Sequence, residues 1–309
     1  MVDLQLSNNV IAGRIQESIG NVSKKFEWKY YFMPMFSNSI FSVRRERELD
    51  FIYLEGHDPD RVPIVCLHGM FGGLSNFDQL ASMLGYDRTI VIPELPLYQG
   101  RSRYLKVQGL SDWVFKYVFD RFDFREAIII GNSLGGHIAL ECALTNPGRV
   151  KALVLAGSSG LFEQNFGYSR PRRFDREYIR ERAQQAFFSY QLEDRIIDEI
   201  VQVLASNRKL GRLLKIARST HEYNMEAYLT AIRQPCLLVW GKNDVITPPA
   251  VAESFLKLLP NAQLEWIDKC GHAPMMEHPG SFMKLVREFL KSIDPVPQFY
   301  ESAFFNEVK

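Results

Sequence analysis

A serine flanked by glycines is the residue pattern in this chain that points most directly to chemistry. Residues 128–136 read Ile-Ile-Ile-Gly-Asn-Ser-Leu-Gly-Gly, so an apolar run ends in Gly131-x-Ser133-x-Gly135 before the helix-forming stretch 137–144. A buried strand that turns sharply into a helix exposes a serine hydroxyl at the turn, and the glycines let the strand and helix backbones pass closely. The pattern predicts a nucleophile elbow in which Ser133 attacks the substrate, as in a serine hydrolase.

A serine hydroxyl becomes a strong nucleophile only when a base removes its proton, and the base needs a carboxylate to hold its tautomer and stabilise its charge. Later loops offer both groups. Asp244 closes the sequence Gly-Lys-Asn-Asp after the apolar run 236–240. His272 follows the apolar run 263–267 on the next such loop. The alternative for Asp244 is a helix cap, because Thr-Pro-Pro at 247–249 precedes a predicted helix.

Short apolar runs alternate with helical patterns along most of the chain, from about Phe51 onward. The predicted strands are 64–67, 89–92, 127–130, 150–155, 236–240 and 263–267, and the helices predicted between and after them are 76–84, 113–122, 134–146, 250–258 and 281–293. Near-continuous apolar runs are typical of parallel strands buried on both faces. The alternation therefore predicts an α/β fold, with a mostly parallel central sheet and helices on both faces.

The alternation stops between about residues 161 and 234, where helical patterns replace the strands. These patterns cover 178–190, 194–205 and 210–221. The segment leaves the sheet after one strand and returns before the next, which places it over the carboxyl ends of the strands, where ligands bind in open α/β sheets. We therefore divide the chain into an N-terminal extension (1–45), a core (46–160 and 235–293), an inserted helical cap (161–234) and a C-terminal tail (294–309).

The N-terminal extension carries apolar residues at helical spacing between Val10 and Phe26, and we expect it to be helical. One interpretation is a helix that lies in a membrane interface. Lys24 and Lys25 are too few for an electrostatic anchor, which favours a helix packed on the domain or an oligomer contact, such as that of a homodimer. The sequence contains neither a secretory signal nor a run of about 18 apolar residues, so we expect a cytoplasmic protein without stable membrane insertion.

The composition argues against several other classes of function. Lys and Arg total 37 while Asp and Glu total 36, and the resulting net charge of +1 does not attract nucleic acid. The four cysteines lie far apart in the sequence, as free thiols in a reducing compartment do. The sequence contains no metal-binding motif and no Gly-x-Gly-x-x-Gly nucleotide fingerprint. We therefore expect no nucleic-acid partner, no metal and no cofactor, and a small-molecule acyl substrate.

Three motifs in order resemble those of α/β-hydrolase fold enzymes that use a serine nucleophile. His-Gly-Met-Phe-Gly-Gly at 68–73 is similar to the family's His-Gly-x turn, and 131–135 is similar to its elbow. Gly-His-Ala-Pro-Met-Met-Glu-His-Pro at 271–279 is similar to its histidine loop. The resemblance covers roughly residues 51–293. It implies an α/β-hydrolase fold with an inserted cap and a catalytic triad in the order serine, acid, histidine.

That resemblance gives a role to each member of the triad. Ser133 is the nucleophile, His272 is the general base and then the general acid, and Asp244 is the carboxylate that orients the histidine. His68 belongs to the first motif, and we expect it to be a hydrogen-bonding strut rather than a base. Cys270 lies two residues before His272 and has no elbow of its own, so we expect it to be structural.

Attack on an acyl carbon creates an oxyanion that needs two hydrogen-bond donors already aimed at it, each worth about 3 kcal/mol of the barrier. The backbone N–H of Leu134, directly after the nucleophile, is one predicted donor. The other is predicted in the turn after His68 and Gly69, at the backbone N–H of Met70, with Phe71 as the alternative.

The residues around the nucleophile restrict the types of reaction that the site could catalyse. A serine at the elbow argues against relatives that use an aspartate there, the haloalkane dehalogenases and epoxide hydrolases. Asn132 before the serine is similar to the carbon-carbon bond hydrolases of meta-cleavage products, but these usually carry a tryptophan directly after the catalytic histidine. This chain has Ala273 there, and its histidine loop is more like that of carboxylesterases and monoacylglycerol lipases. The segment 93–102 also departs from the family's usual Asp-x-Pro-Gly-x-Gly-x-Ser turn, which leaves that wall of the pocket undefined.

The predicted function is therefore that of a serine esterase, which hydrolyses carboxylic esters of a small or medium acyl substrate through an acyl-enzyme intermediate. The first alternative is carbon-carbon bond hydrolysis of a dienoic keto acid of the meta-cleavage type. The alternative of a different class is a small-molecule binding protein on a hydrolase fold, because the fold alone does not determine function.

Six arginines lie within thirteen residues of the predicted cap. They are Arg170, Arg172, Arg173, Arg176, Arg180 and Arg182. Facing the site, they could hold a substrate carboxylate, and on its rim they could meet an acidic acyl carrier. The alternative, which we favour, is a solvated helix face on which they pair with Asp175, Glu177 and Glu181.

Overall fold

The computed structural model describes residues 42–46, 49–85, 88–163 and 172–295. Within these residues, eight strands form one sheet in the order β1-β2-β4-β3-β5-β6-β7-β8. The strands are β1 (Ser42–Glu46), β2 (Leu49–Leu54), β3 (Ile64–Leu67), β4 (Ile90–Pro93), β5 (Ala127–Asn132), β6 (Val150–Ala156), β7 (Cys236–Gly241) and β8 (Ala262–Ile267). Strands β3 to β8 run parallel to one another, whereas β2 lies antiparallel to both β1 and β4.

Helices cover both faces of this sheet. The helices of the core are α1 (Asp78–Leu84), α2 (Val107–Val114), α3 (Leu134–Thr145), α7 (Pro249–Leu258), α8 (Pro274–Glu277) and α9 (Pro279–Ile293). Successive residues of β3 point to opposite faces, because Val65 and Leu67 lie in one buried cluster and Ile64 and Cys66 lie in another. The first cluster includes residues of α2, α3 and α7, and the second includes residues of α1 and α9. The predicted fold class, a mostly parallel sheet with helices on both faces, is confirmed.

Strand β1 corrects one predicted boundary. The sequence predicts a helical extension through residue 45, but residues 42–45 pair antiparallel with β2. Edge strands tend to be short and charged, because charges discourage pairing with other chains. The β1 sequence, Ser-Val-Arg-Arg-Glu, therefore lacks the apolar run by which a buried strand is recognised. Residues 1–41 of the predicted extension and residues 296–309 of the predicted tail lie outside the described residues.

In the described part of the stretch between β6 and β7, where the sequence predicts a cap, there are three α-helices. They are α4 (Arg176–Gln184), α5 (Asp194–Ala205) and α6 (Asn207–Glu222). Buried apolar residues of all three helices, together with Leu192 from the segment between α4 and α5, form one cluster, which we call the cap cluster: Ile179, Leu192, Ile197, Ile200, Val203, Leu204 and Leu213. Helix α4 ends six residues before its predicted end at residue 190, because backbone groups of residues 186–189 form hydrogen bonds outside the helix.

The sequence also predicts free thiols, no stable membrane insertion and no metal site. All four cysteines are free and buried. None of the helices in the described ranges combines the length and the apolar character needed to cross a bilayer. Over the same ranges, no group of three or more His, Cys, Asp or Glu side chains is placed to hold a metal ion.

Candidate active site

Ser133 lies between the end of β5 and the start of α3, in a backbone conformation that few residues other than glycine adopt. Its φ is 53° and its ψ is −118°, a strained geometry of the kind found at functional turns. The end of β6 holds the turn in place. The N–H of Ser133 donates to the carbonyl oxygen of Ala156 at 3.2 Å, and its own carbonyl oxygen accepts from the N–H of Ser159 at 3.1 Å. Ser133 therefore occupies the tip of a strand-turn-helix unit.

The glycines beside Ser133 allow this turn because the backbones around it are nearly in contact. A Cβ atom on Gly135 would lie 1.9 Å from the carbonyl oxygen of Leu67, at the end of β3. A Cβ atom on Gly131 would lie 2.5 Å from the carbonyl carbon of Gly135. No side chain fits at either position without moving backbone, that of α3 or β5 at Gly131 and that of β3 or α3 at Gly135.

Gly135→Ala is expected to lower the free energy of unfolding by about 4 kcal/mol or more, because the added methyl must displace the backbone of β3. Urea denaturation measures this loss. The matched control is Gly211→Ala in α6, where an added Cβ atom meets no atom within 4 Å. There, the better helix propensity of alanine should raise stability by up to about 1 kcal/mol. Equal effects at the two positions would contradict the close approach at Gly135.

Asp244 and His272 meet at the carboxyl ends of β7 and β8. His272 Nδ1 lies 2.9 Å from Asp244 Oδ2, and the hydroxyl of Thr247 donates to the same oxygen at 2.8 Å. Asp244 Oδ1 accepts the backbone N–H groups of Ile246 and Thr247 at 2.8 and 3.0 Å. Because the carboxylate only accepts, the histidine proton lies on Nδ1 and leaves Nε2 as an acceptor. The helix-cap alternative for Asp244 fails, since Pro248 is the N-cap of α7.

Asn132 joins the histidine loop to the turn that carries the nucleophile. Its buried side-chain Nδ2 donates to the carbonyl oxygen of Ala156 at 2.8 Å and to that of His272 at 3.0 Å. Since Asn132 directly precedes Ser133, these bonds hold the histidine loop beside the serine. The sequence signal for this role is a polar residue at the end of an otherwise apolar strand.

The charges around His272 favour its protonated form. Burial lowers the pKa of this imidazole, but the charge and the hydrogen bond of Asp244 raise it, and Glu163 and Glu277 add to the rise, so that the net pKa lies above its ordinary value. Glu163 is held near the site by the hydroxyl of Ser159, which donates to Glu163 Oε2 at 2.9 Å. Sequence reasoning missed Glu163 as a neighbour of the histidine, because only the fold brings it there, and it gave no role to Glu277, which lies five residues after His272 on the histidine loop.

The raised pKa of His272 sets the pH dependence that we expect for catalysis. A base must be neutral to accept a proton, so kcat/KM should fall as the pH drops through a histidine pKa that lies above about 6.5. Glu163→Gln removes one of the negative charges that raise this pKa, so the acid limb of the profile should move to lower pH. The control Glu253→Gln, exposed on α7, should leave the profile unchanged. An acid limb that stays in place or moves to higher pH in Glu163→Gln would contradict this account.

The imidazole of His68 braces a neighbouring turn and is not placed to act as a base. Its Nε2 accepts the backbone N–H of Leu95 at 3.0 Å, so the proton lies on Nδ1, which donates to the carbonyl oxygen of Gly69 at 2.7 Å. Burial lowers the pKa of His68 to about 4, which keeps the ring neutral at physiological pH. These contacts are those of the strut that the sequence predicts.

Backbone N–H groups of Met70 and Leu134 lie around the nucleophile turn. Leu134 is the first residue of α3, so its N–H has no acceptor within the helix. The Met70 turn lies against the nucleophile, because a Cβ atom on Gly69 would be 3.2 Å from the Cβ of Ser133. Tyr98 Oη fixes this turn by donating to the carbonyl oxygen of Met70 at 2.6 Å. Within the described ranges, neither N–H donates to a backbone acceptor.

Comparison with known proteins decides the family. The model of the Alpha/beta hydrolase family matches residues 64–285 of this chain. The chain belongs to the α/β hydrolase family. The fold that the three sequence motifs imply is thereby confirmed, and the relatives of this chain include proteins named as a methyl ester esterase, a monoacylglycerol lipase and a dienedioate hydrolase.

Two relatives and one solved structure illustrate the range of this α/β hydrolase's neighbours. The pimeloyl-[acyl-carrier protein] methyl ester esterase of Nitrosomonas europaea is 30% identical over 246 residues, which cover 74% of this chain and 94% of the esterase. The 2-hydroxy-6-oxononadienedioate/2-hydroxy-6-oxononatrienedioate hydrolase 2 of Pseudomonas putida is 27% identical over 283 residues, 82% of this chain and 97% of that hydrolase. A structure of an α/β hydrolase enzyme from the metagenome of lagoon sediments at Mar Chica, Morocco, has a TM-score of 0.64 and 37% identity, and the match covers 81% of this chain and 98% of that one.

In this α/β hydrolase, the turn at 93–102 that departs from the family pattern is supported by a residue of helix α6. Arg212 of α6 is only 9% exposed. Its guanidinium donates to four carbonyl oxygens of the turn, those of Pro96 at 2.9 Å, Leu97 at 3.0 Å, Gly100 at 3.0 Å and Gln99. A planar group with five N–H donors suits such a cluster of acceptors. Helix α6 therefore holds in place the turn whose conformation the sequence pattern leaves undefined.

Arg212→Met should lower the free energy of unfolding by about 3 kcal/mol, because four carbonyl oxygens in a largely buried site lose a charged donor. Urea denaturation measures the change. Arg208→Met is the control, since Arg208 is exposed on the same helix. If the two variants were equally stable, the guanidinium would contribute nothing to the turn.

The cap arginines that the structure describes are partly engaged with carboxylates on the exposed surface of this α/β hydrolase. Arg172 bonds Asp175 at 2.8 Å, Arg176 bonds Asp194 and Asp198 at 2.7 Å each, and Arg180 bonds Asp194. Asp175 is a partner that the sequence predicts, whereas Asp194 and Asp198 belong to α5 and tie that helix to α4. Three arginines thus lie on the solvated face that we favour. Arg170 lies outside the described residues.

Proposed function

We propose that this α/β hydrolase is a serine esterase that cleaves the carboxylic ester bond of a small or medium acyl substrate. Ser133 is the nucleophile, His272 is the general base and then the general acid, and Asp244 orients the histidine. The observation that carries the proposal is the 2.9 Å bond between His272 Nδ1 and Asp244 Oδ2, on a loop tied to the strained turn at Ser133. The N–H groups of Met70 and Leu134 form the proposed oxyanion hole.

The proposed reaction has two stages. In acylation, Nε2 of His272 takes the proton from Ser133 as Oγ attacks the ester carbonyl, and the N–H groups of Met70 and Leu134 stabilise the oxyanion. The imidazolium gives that proton to the departing alcohol oxygen as the ester C–O bond breaks, which leaves an acyl-serine. In deacylation, His272 takes a proton from water, the resulting hydroxide attacks the acyl carbon, and the acid leaves as Ser133 regains its proton.

The surroundings of the oxyanion turn support an uncharged acyl group. Met70, Phe71 and Tyr98 from the core, together with Phe187 and Tyr190 from the cap, pack against the cap cluster. Burial of a hydrocarbon group against such apolar side chains lowers the free energy by about 25 cal/mol for each Å² of apolar surface removed from water. The three paired cap arginines already have carboxylate partners, which makes them poor receptors for a substrate carboxylate.

Carbon-carbon bond hydrolysis of a dienoic keto acid is the second candidate. Asn132, which precedes the nucleophile, bonds the carbonyl oxygen of His272 and so belongs to the same site. The relative from Pseudomonas putida, 27% identical, is a hydrolase of dienedioates by name. The third candidate, a protein that only binds a small molecule, does not require the contact between Asp244 and His272.

The proposed reaction uses only side chains, backbone N–H groups and water, so it calls for no cofactor and no metal. The four free, buried cysteines support a reducing compartment, and we propose that the enzyme acts in the cytoplasm. Its proposed partner is the small-molecule substrate itself.

A substrate series separates the three candidates. Time courses with p-nitrophenyl esters from acetate to decanoate are run beside a meta-cleavage dienoate, on the wild-type protein and on Ser133→Ala. Ester turnover that depends on Ser133 and has an optimum of chain length supports the esterase. Faster turnover of the dienoate would replace it with carbon-carbon hydrolysis, and ligand binding without turnover of either substrate would favour the binding role.

A further inference from the structure

Residues 186–189, here called the cap loop, follow α4 and cross the loop that carries His272. The backbone N–H of His272 donates to the carbonyl oxygen of Ala186 at 2.7 Å. The contact is close throughout, because a Cβ atom on Gly271 would lie 2.5 Å from the same oxygen and 2.9 Å from the Cα of Phe187. The cap loop and the histidine loop therefore pack backbone against backbone.

The carboxylate of Glu277 bonds both loops at once. Its Oε2 accepts the N–H groups of Phe188 at 2.8 Å and Ser189 at 3.1 Å, on the cap loop. Its Oε1 accepts the N–H of Gly271 at 2.6 Å, on the histidine loop. Hydrogen bonds to an ionised acceptor are stronger than neutral ones. One side chain thus holds three backbone donors from two segments that are about eighty residues apart in sequence.

The cap loop needs such a partner because it belongs to no helix or strand. Sequence periodicity predicts helix through residue 190, yet α4 ends at Gln184 and the N–H groups of Phe188 and Ser189 turn to Glu277 instead. Phe187 packs against the cap cluster and also against the buried cluster on the α1 and α9 side of the sheet. The placement of this aromatic side chain, which lies among the apolar residues of the proposed acyl site, therefore depends on the loop.

We infer that Glu277 is a positioning residue that couples the cap to the catalytic base, holding the cap loop and the His272 loop as one unit. Phe187 on the cap loop and the imidazole of His272 then keep a fixed position relative to each other. The kinetic part of this inference rests on the proposed esterase function, whereas the structural coupling does not.

Glu277→Gln removes the hydrogen bonds that one of the two carboxylate oxygens accepts, either from the cap loop or from the histidine loop. The amide keeps one acceptor oxygen, but its NH2 group faces backbone donors on the other side and cannot bond them. Small displacements of a catalytic group lower rates steeply, so we expect kcat for p-nitrophenyl acetate to fall about tenfold or more. Because Phe187 also shifts, KM should rise more for the octanoate ester than for the acetate ester. Glu277→Asp keeps both acceptors on a shorter stem and should lie between the wild-type protein and Glu277→Gln in both readouts.

Hydrogen exchange followed by mass spectrometry tests the coupling directly on the full chain, in peptides that span 185–191 and 270–275. Wild type is compared with Glu277→Gln, Glu277→Asp and the exposed control Glu253→Gln. The coupling predicts faster exchange in both peptides for Glu277→Gln, less so for Glu277→Asp, and no change for the control. If Glu277→Gln does not fold, Glu277→Asp carries the test.

The outcomes separate the coupling from the proposed function. Faster exchange in both peptides together with the KM and kcat changes supports the whole inference. Faster exchange in a protein whose wild type lacks esterase activity supports the coupling while the proposed function fails. Unchanged exchange, or exchange that rises in only one of the two peptides, would overturn the coupling. Normal kinetics of an active enzyme despite faster exchange in both peptides would overturn the positioning role of Glu277.

Discussion

Ser133→Ala and His272→Ala are each expected to lower kcat for ester hydrolysis about 10⁶-fold, and the double variant should lose no more than either single one. Without the Ser133 hydroxyl, Nε2 of His272 has no nucleophile to activate. Without the imidazole, the hydroxyl keeps its proton and attacks poorly. The residual rate in every variant comes from the backbone N–H groups of Met70 and Leu134, which all of them retain.

Steady-state kinetics on the preferred p-nitrophenyl ester measure these losses, with urea denaturation to show that each variant is folded. Ser254→Ala and His221→Ala serve as controls, because both residues are exposed on helices away from the loops of the site. Losses that multiply in the double variant would show that the serine and the histidine act independently, and this would contradict the proposed mechanism.

Asp244→Asn should lower kcat/KM about 10⁴-fold, because it reverses the histidine tautomer. Asp244 Oδ1 accepts two backbone N–H groups, so the oxygen of an asparagine takes that place. Its NH2 group then replaces Oδ2, which lies 2.9 Å from His272 Nδ1. Since NH2 donates, Nδ1 must accept, and the ring proton moves to Nε2. An Nε2 that carries a proton cannot take one from Ser133.

The tautomer itself can be observed for this variant. Nitrogen-15 NMR of the His272 ring should show the proton on Nδ1 in the wild-type protein and on Nε2 in Asp244→Asn. The control is Asp268→Asn, an exposed carboxylate that pairs with Lys242 at 2.6 Å and should leave both the rate and the tautomer unchanged. A variant at Asp244 that retained a tenth of the wild-type rate would contradict the role given to this carboxylate.

The sequence predicted the parallel part of the sheet well because strands buried on both faces are apolar at nearly every position. All residues of β3, β4 and β5 are buried, and the predicted runs agree with these strands to within two residues at each end. Strand β1 was not predicted, since a short, charged edge strand has no such run. The cap loop was predicted as helix, because periodicity cannot register the acceptor that Glu277 offers from a distant segment.

Parts of the candidate site were predictable where a short sequence pattern indicates a particular backbone conformation. The turn at Ser133 requires glycine on either side, because a Cβ atom at those positions would clash with backbone atoms. These glycines lie within two residues of the serine, so the sequence pattern reveals the turn. The side chains that hold the site together were missed. Arg212 reaches Leu97, 115 residues away, only through the fold, and only the fold brings the charge of Glu163 close enough to raise the pKa of His272. Thr247 bonds Asp244 three residues away, but the sequence alone does not show that its hydroxyl turns to that carboxylate.

Covalent labelling with a fluorophosphonate probe, followed by intact mass measurement and peptide mapping, directly tests whether Ser133 is a nucleophile activated by His272. We expect one adduct per chain on Ser133 in the wild-type protein, none in Ser133→Ala, and labelling that is slowed by about 10³-fold or more in His272→Ala. An adduct on another residue, or a wild-type protein that hydrolyses esters without being labelled at Ser133, would contradict it.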